Sequence, residues 1–183
     1  EDETPGGGWD HRIAVGDLPH VLGAADQLPP PSIRLEPLSK LARETAERLA
    51  AFGPPPYIGL SWWAGTRDVD RRLYKNAPLD RIAEAMRDAS GTIIALQRAP
   101  EEHELSRLDA AFGRPVLNLT ALNADLEAML ALVSLLDDYV AVSNTNVHLR
   151  SAVGLKSRVL IPNPPEFRSV SYTHLRAHET DSY

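Results

Sequence analysis

The stretch Asp138 to Ile161, DYVAVSNTNVHLRSAVGLKSRVLI, decides the fold. Tyr139 to Val142 is a short apolar run rich in β-formers, which predicts a buried strand. It gives way abruptly to Ser143, Asn144, Thr145 and Asn146, small side chains that accept hydrogen bonds from the first backbone N–H groups of a helix. The helix is short, and Gly154 marks its stop. A last strand is expected at Arg158 to Ile161. A helix N-terminus at the carboxyl end of a parallel strand favours phosphate, through its unpaired amides and its dipole.

Working outward, the same alternation recurs upstream. Tyr57 to Trp62 (YIGLSW) is a compact strand candidate, followed by Trp63, Ala64, Gly65 and Thr66. Pro78 opens a helix with Leu79, Ile82, Ala83 and Met86 on one face. Thr92 to Leu96 (TIIAL) reads as a second buried strand, Glu101 to Phe112 as a helix, Val116 to Leu119 as a weaker strand, and Asp125 to Leu136 as a helix. Continuous apolar strands alternating with helices mean a parallel sheet covered on both faces. Ligands of such sheets sit outside the carboxyl ends of the strands. Polar clusters fall at those ends: Trp63 to Thr66, Gln97 to Arg98, and Ser143 to His148. Their convergence implies a small-molecule site for a phosphorylated ligand, without naming a reaction.

The flanks carry less. Residues Glu1 to Asp10 are acidic and Gly-rich. His11 to Gly23 reads as a strand passing into a loop, and Pro29 to Pro31 mark a linker. Leu38 to Phe52 carries a helical apolar stripe (Leu38, Leu41, Ala42, Leu49, Phe52) interrupted by Thr45. Ser169 to Thr180, SVSYTHLRAHET, looks like the translation of a sequencing adapter. The tail from Ser169 to Tyr183 is therefore expected to be an artefact. The opposing view, His174 and His178 as a metal pair, lacks further ligands nearby.

Composition bounds the partners. The chain has 183 residues, 43% hydrophobic and 24% charged, with a net charge of -6. That balance argues against nucleic acid, since no basic surplus is available to displace counterions. There is no cysteine, which removes disulfides and thiolate metal sites and suits a reducing, cytoplasmic location. No apolar run approaches the roughly 20 residues of a membrane helix.

A family resemblance enters at YIGLSWWAGT, Tyr57 to Thr66. It resembles the entry to the C-terminal domain of heptosyltransferase-like (family 9-like) glycosyltransferases, especially bacterial versions fused to tetratricopeptide repeats, which carry a Gly-Leu-x-Trp-x-Gly segment there. Leu136 to Pro162 resembles their strand, Asp-Thr loop, His-Leu-Ala-Gly-Ala-Leu-Gly helix and following strand. Pro164 to Arg168 resembles a Pro-x-Trp-Arg element, with Phe167 in place of Trp. The resemblance covers about Gly16 to Arg168. It implies an α/β fold, a parallel Rossmann-like sheet with helices on both faces, forming the truncated C-terminal half of a GT-B fold. By this likeness residues 1–35 are the remnant of an acceptor domain and linker, 36–55 a linker helix, and 56–168 a nucleotide-sugar-binding domain.

The activity implied by the resemblance is transfer of a sugar from a nucleotide diphosphate to an acceptor hydroxyl, the acceptor being a saccharide or protein. This part would bind the donor and be inactive alone. Donor contacts are expected from Trp63, Gly65, Thr66, Lys75, Gln97, Ser143, Asn144, Thr145 and His148, with Arg72 as a further basic candidate. No metal or cofactor is expected, because a helix N-terminus and a basic side chain can stabilise the departing diphosphate. The catalytic base is unassigned. Each residue also has a plainer reading. Thr145 and Asn146 cap a helix, and a lone His148 inside a helix is often structural. Lys75 and Arg72 belong to a solvated loop. Only one of Trp62 and Trp63 faces the core, and Asp68, Asp70, Asp137 and Asp138 are solvated or turn-forming. Gly65 permits close backbone approach, Gln97 reads the base, and a protonated His148 strengthens diphosphate binding. One departure stands out: Ser143 and Asn144 replace the family's Asp and Thr, so the carboxylate is gone. That favours the alternative of a non-catalytic sugar-nucleotide or protein-binding module; a nucleotide-sugar epimerase is the third option.

Overall fold

The computed structural model describes residues 13–23, 34–65 and 75–161. The chain divides into two units, Glu1–Ile33 and Arg34–Tyr183. In the first, the strand expected within His11 to Gly23 is replaced by a 3-10 turn at Val15–Asp17 and a helix α1 at Leu18–Val21. Pro19 lies in the first turn of α1, where its missing N–H leaves no intrahelical bond unmade.

The second unit is built on a 5-stranded sheet with strand order β3-β2-β1-β4-β5, all parallel. The strands are β1 at Tyr57–Ser61, β2 at Thr92–Ala95, β3 at Leu117–Asn118, β4 at Asp138–Val142 and β5 at Arg158–Leu160. Between them run α3 (Leu79–Ala85), α4 (Glu102–Phe112), a 3-10 turn (Thr120–Ala124), α5 (Leu126–Leu135) and α6 (Thr145–Ala152), while α2 (Ser39–Phe52) precedes β1. From β1 the chain steps outward through β2 and β3, then returns to lay β4 on the other side of β1. The β1/β4 junction is thus the point where strand order reverses, and there a doubly wound sheet opens a crevice at its carboxyl rim.

Strand alternation divides the core between two faces. Ile94, Leu96, Tyr139 and Ala141 project to the side covered by α2 and α5, against Leu49, Met129, Leu132 and Val133. Leu60, Trp62 and Ala95 project to the other side, against Leu79, Ile82 and Leu108 of α3 and α4. Leu49 is 0% exposed, so the stripe of α2 is part of this core. A leucine so buried contributes about 1.5–3 kcal/mol.

Helix ends are set by local chemistry. Asp125 caps α5, accepting from the N–H groups of Glu127 (3.0 Å) and Ala128 (3.1 Å). Glu101 and Glu104 form a capping box at α4. Gly113 and Gly154, at φ of 62° and 82°, follow α4 and α6 in the left-handed conformation that halts helices. The far end of α5 is held by Arg150 of α6, 3% exposed. Its guanidinium donates to the carbonyls of Val133 (2.7 Å), Leu136 (3.0 Å), Asp137 (3.2 Å) and Lys156 (2.6 Å).

Candidate functional site at the carboxyl rim of the sheet

Register brings the ends of β1 and β4 side by side, with Ser61 opposite Ala141 and Gly59 opposite Tyr139. Gly59 leaves room for the tyrosine ring: a Cβ at this position would lie 2.9 Å from Tyr139 Cδ2. The ring therefore lies over β1 and carries its hydroxyl to the rim. There the hydroxyl meets Ser61 Oγ at 2.9 Å and accepts from Asn144 Nδ2 at 3.1 Å. Asn144 Oδ1 accepts from the Val147 N–H at 3.1 Å, capping α6. Burial raises the Tyr139 pKa, against the opposing pull of hydrogen bonds from Ser61, Asn144 and Asn146 and of the Arg150 charge. The phenol stays protonated at neutral pH.

A second polar link ties the same helix turn to β2. Asn146, 5% exposed, donates from Nδ2 to Asn123 Oδ1 at 3.1 Å. Asn123 Nδ2 in turn donates to the carbonyls of Leu96 (3.0 Å) and Thr120 (2.8 Å). The first turn of α6 is thereby fastened to the ends of two other strands. Helix geometry leaves the amides of Thr145 and Asn146 without intrahelical partners.

The loop after β1 is held differently. Gln97, 1% exposed, accepts through Oε1 from the N–H groups of Trp62 (2.9 Å) and Trp63 (3.0 Å). Its Nε2 donates to the carbonyls of Trp63 (3.0 Å) and Arg98 (3.1 Å). These bonds use the full capacity of a side-chain amide. Gln97 stands at the rim, as its place in the sequence implies, but its amide braces the neighbouring backbone and has nothing left with which to read a base. Trp62 is the buried indole of its pair, 1% exposed and donating from Nε1 to Glu104 at 3.0 Å. Trp63 is half-buried against the same cluster and bridges Asn76 in antiparallel fashion. The Ala64 N–H meets the Lys75 carbonyl at 2.9 Å, which returns Lys75 to the end of β1.

The candidate residues are thus distributed along one rim. Trp63, Gly65 and Lys75 lie beside β1, and Ser143, Asn144, Thr145 and His148 follow β4. Gly65 has φ of 103° with open space around it, so it is required for backbone conformation rather than by a crowding neighbour. Thr145 and His148 are exposed and Ser143 half-buried. Thr66 and Arg72 lie outside the described residues, as does the tail from Ser169. A separate apolar cleft of about 340 Å³ lies on the α3 side of the sheet, between Ile82 and Met86 and the ends of β4 and β5 at Val142 and Leu160. Lys75 lines this cleft, and its carbonyl accepts from Ala64 at the end of β1.

Sequence reasoning missed Ser61, Tyr139, Asn123 and Asn146 as a connected set. Ser61 and Tyr139 were hidden inside runs that read as apolar; a hydroxyl on the buried face of each of two adjacent strands was the available signal. Chemically, the rim offers backbone donors, neutral hydroxyls and a lysine, an arrangement suited to an anion. Among the described residues no group of three or more His, Cys, Asp or Glu side chains is placed to hold a metal, and no helix is long and apolar enough to cross a membrane.

No family model matches the chain. It is 25% identical over 149 residues to Protein FlbA of Caulobacter vibrioides, covering 80% of this chain and 25% of that protein. In structure it is similar to a glycosyl transferase family 9 protein from Veillonella parvula DSM 2008, with TM-score 0.54 and 12% identity, over 74% of this chain and 41% of that one. A slighter likeness, TM-score 0.41 and 18% identity over 63% of this chain and 35% of the other, is to E. coli heptosyltransferase WaaC with ADP-2-deoxy-2-fluoro heptose. The chain spans a quarter of the length of its curated relative and less than half of either structure. Over the span shared with the Veillonella protein, this α/β chain has a glycosyltransferase-like fold.

Proposed function

We propose that the chain is the donor-binding part of a glycosyltransferase that moves a sugar from a nucleotide diphosphate to an acceptor hydroxyl. The observation that supports this reading is the reversal of strand order between β1 and β4, which sets Trp63 to Gly65 after β1 and the first turn of α6 after β4 at the same rim of the sheet. As the bond to the sugar breaks, negative charge grows on the departing diphosphate. The amides of Thr145 and Asn146, the α6 dipole and the Lys75 ammonium supply fixed positive potential there. Thr145 and Ser143 add hydroxyl donors. The general base belongs to the acceptor side, and no described side chain is assigned to it. Bacterial origin, tetratricopeptide repeats on the same chain and a cytoplasmic location belong to the same proposal, and the uninterrupted reading frame checks the first two.

Calorimetric titration of the full chain with ADP, GDP, UDP and CDP tests the donor site. One of them is expected to bind, and Lys75→Ala to weaken it about tenfold, as expected for one charge-assisted contact. Absence of binding by all of them, or binding indifferent to Lys75→Ala and Ser143→Ala, defeats the reading. A second reading, a sugar-nucleotide-binding module without catalysis, draws on one observation: the Asn144 amide is engaged by Val147 and Tyr139, and the loop from Ser143 to Asn146 contains no carboxylate. Donor hydrolysis or sugar transfer by the full-length parent protein excludes that second reading.

A further inference from the structure

We propose that the Tyr139 hydroxyl is a positioning group that sets the first turn of α6, through Asn144, against the end of β1. Its bearing on a diphosphate rests on the function proposed above. The bonds have a definite sense. Asn144 Oδ1 faces the Val147 N–H at 3.1 Å, which fixes the amide with Nδ2 toward Tyr139. The hydroxyl accepts from that nitrogen and pairs with Ser61 Oγ at 2.9 Å. The hydroxyl also lies 3.3 Å from Asn144 Oδ1, the longer of its contacts to that amide. The result is a chain of three side chains from β1 through β4 to the cap of α6.

Each link depends on a separate feature of the sequence. Gly59 admits the ring, Ser61 meets the hydroxyl on the same face of β1, and Asn144 both caps the helix and reaches the phenol. Tyr139 is 0% exposed, so water does not take over these bonds. An N-cap needs only its oxygen; the bond from Nδ2 has no part in capping, and its effect is to fix where the helix starts. Without the hydroxyl, to which Asn146 also bonds, the first turn keeps the Asn146–Asn123 link to the sheet. One tie permits a swing that two prevent.

Tyr139→Phe in the full chain removes the hydroxyl and keeps the ring; Ser61→Ala removes the far end of the link and guards against a misfolded phenylalanine variant. The first measurement needs no ligand. Exchange of the Val147 amide, compared with Ile94 in the central sheet, is expected to rise by about tenfold, the equivalent of one hydrogen bond. Combining the substitutions should add little, because both cut one chain. The second measurement is nucleoside diphosphate affinity under conditions where every variant is fully folded, expected to fall by about five- to tenfold. Unchanged Val147 exchange in both variants overturns the proposal, whatever binds. Faster exchange with undiminished affinity overturns it as well. Faster exchange in a chain whose parent form binds no diphosphate leaves the positioning link standing and removes the donor-site reading instead.

Discussion

Replacing Arg150 with alanine measures how firmly the helix bearing the candidate site is anchored. The guanidinium serves four carbonyls, two of them at the end of α5, and the bonds to Val133 and Leu136 are fully buried. The Asp137 and Lys156 carbonyls are partly exposed and rehydrate when the side chain is removed. The other two do not, and leaving a buried acceptor unpaired costs about 1–3 kcal/mol. The expected loss is therefore about 2–6 kcal/mol, a large share of a domain stability of about 5–15 kcal/mol. Deletion also relieves desolvation. Burial lowers the Arg150 pKa, and Asp138, Asp137 and Tyr139 counter it in that order, so the charge is partly compensated in place.

Urea unfolding of the full chain is the assay. With a slope of about 2 kcal/mol per molar, the midpoint is predicted to fall by about 1–3 M at unchanged slope. Arg150→Lys keeps the charge but replaces a planar fork with a compact ammonium, and should recover less than half of the loss. Two results refute the reasoning: an alanine variant within about 1 kcal/mol of the parent, or a lysine variant equal to it. Either would mean that the carbonyls find other partners and the fork geometry is incidental.

The remaining predictions are narrower. Since the Tyr139 pKa is raised above its unfolded value of 10.0, folding holds a proton that the unfolded chain gives up above that pH. Stability is full below pH 10 and declines as pH climbs through the raised folded value; Tyr139→Phe should flatten this alkaline decline in thermal melts. Gly59→Ala places a methyl against Tyr139, Leu136 and Leu96, and is expected to cost about 1–3 kcal/mol in urea unfolding. Gln97→Leu strips the bracing from Trp62 and Trp63, with a predicted loss of about 2–4 kcal/mol and weaker nucleoside diphosphate binding by calorimetry. Ser143→Asp restores the carboxylate of the resembled family, and should weaken binding of a bare nucleoside diphosphate by several-fold at low salt, less at high salt.

The strand and helix order was legible because each strand is a compact run with its own period, as in TIIAL and VAV, and each boundary has a local marker, such as Asp125, Gly113 or Gly154. Observed ends fall within a few residues of those markers. Other features needed the third dimension. Nothing local distinguishes a Tyr139 used for its ring from one used for its hydroxyl; its partner Ser61 is 78 residues away. Gln97 sits where a base-reading residue would sit, and only coordinates reveal that its amide faces inward. Asn123 lies in a 3-10 turn that carries no periodicity. In α2 the apolar stripe was legible despite Thr45, but which of its residues enters the core was not; Leu49 does.

The missing carboxylate is the feature with most bearing on chemistry. An Asp beside a diphosphate sets two negative charges in one crevice, and the chain as a whole already carries -6. With Ser143 there, and with both ends of the Asn144 amide turned toward Val147 and Tyr139, the groups that follow β4 at the rim, among the described residues, carry no carboxylate: the first amides of α6, the Thr145 and Ser143 hydroxyls and exposed His148. The substitution thus removes a repulsion as well as a functional group. The proposed anion binding rests on the first amides of α6, which the Ser61–Tyr139–Asn144 link would hold in place, and it needs no carboxylate in this loop. A step requiring a carboxylate at that loop does not survive the loss of the Asp. Binding and turnover are therefore tested separately: a nucleoside diphosphate tests the rim itself, while a sugar-transfer assay tests whether a carboxylate from elsewhere serves the proposed reaction.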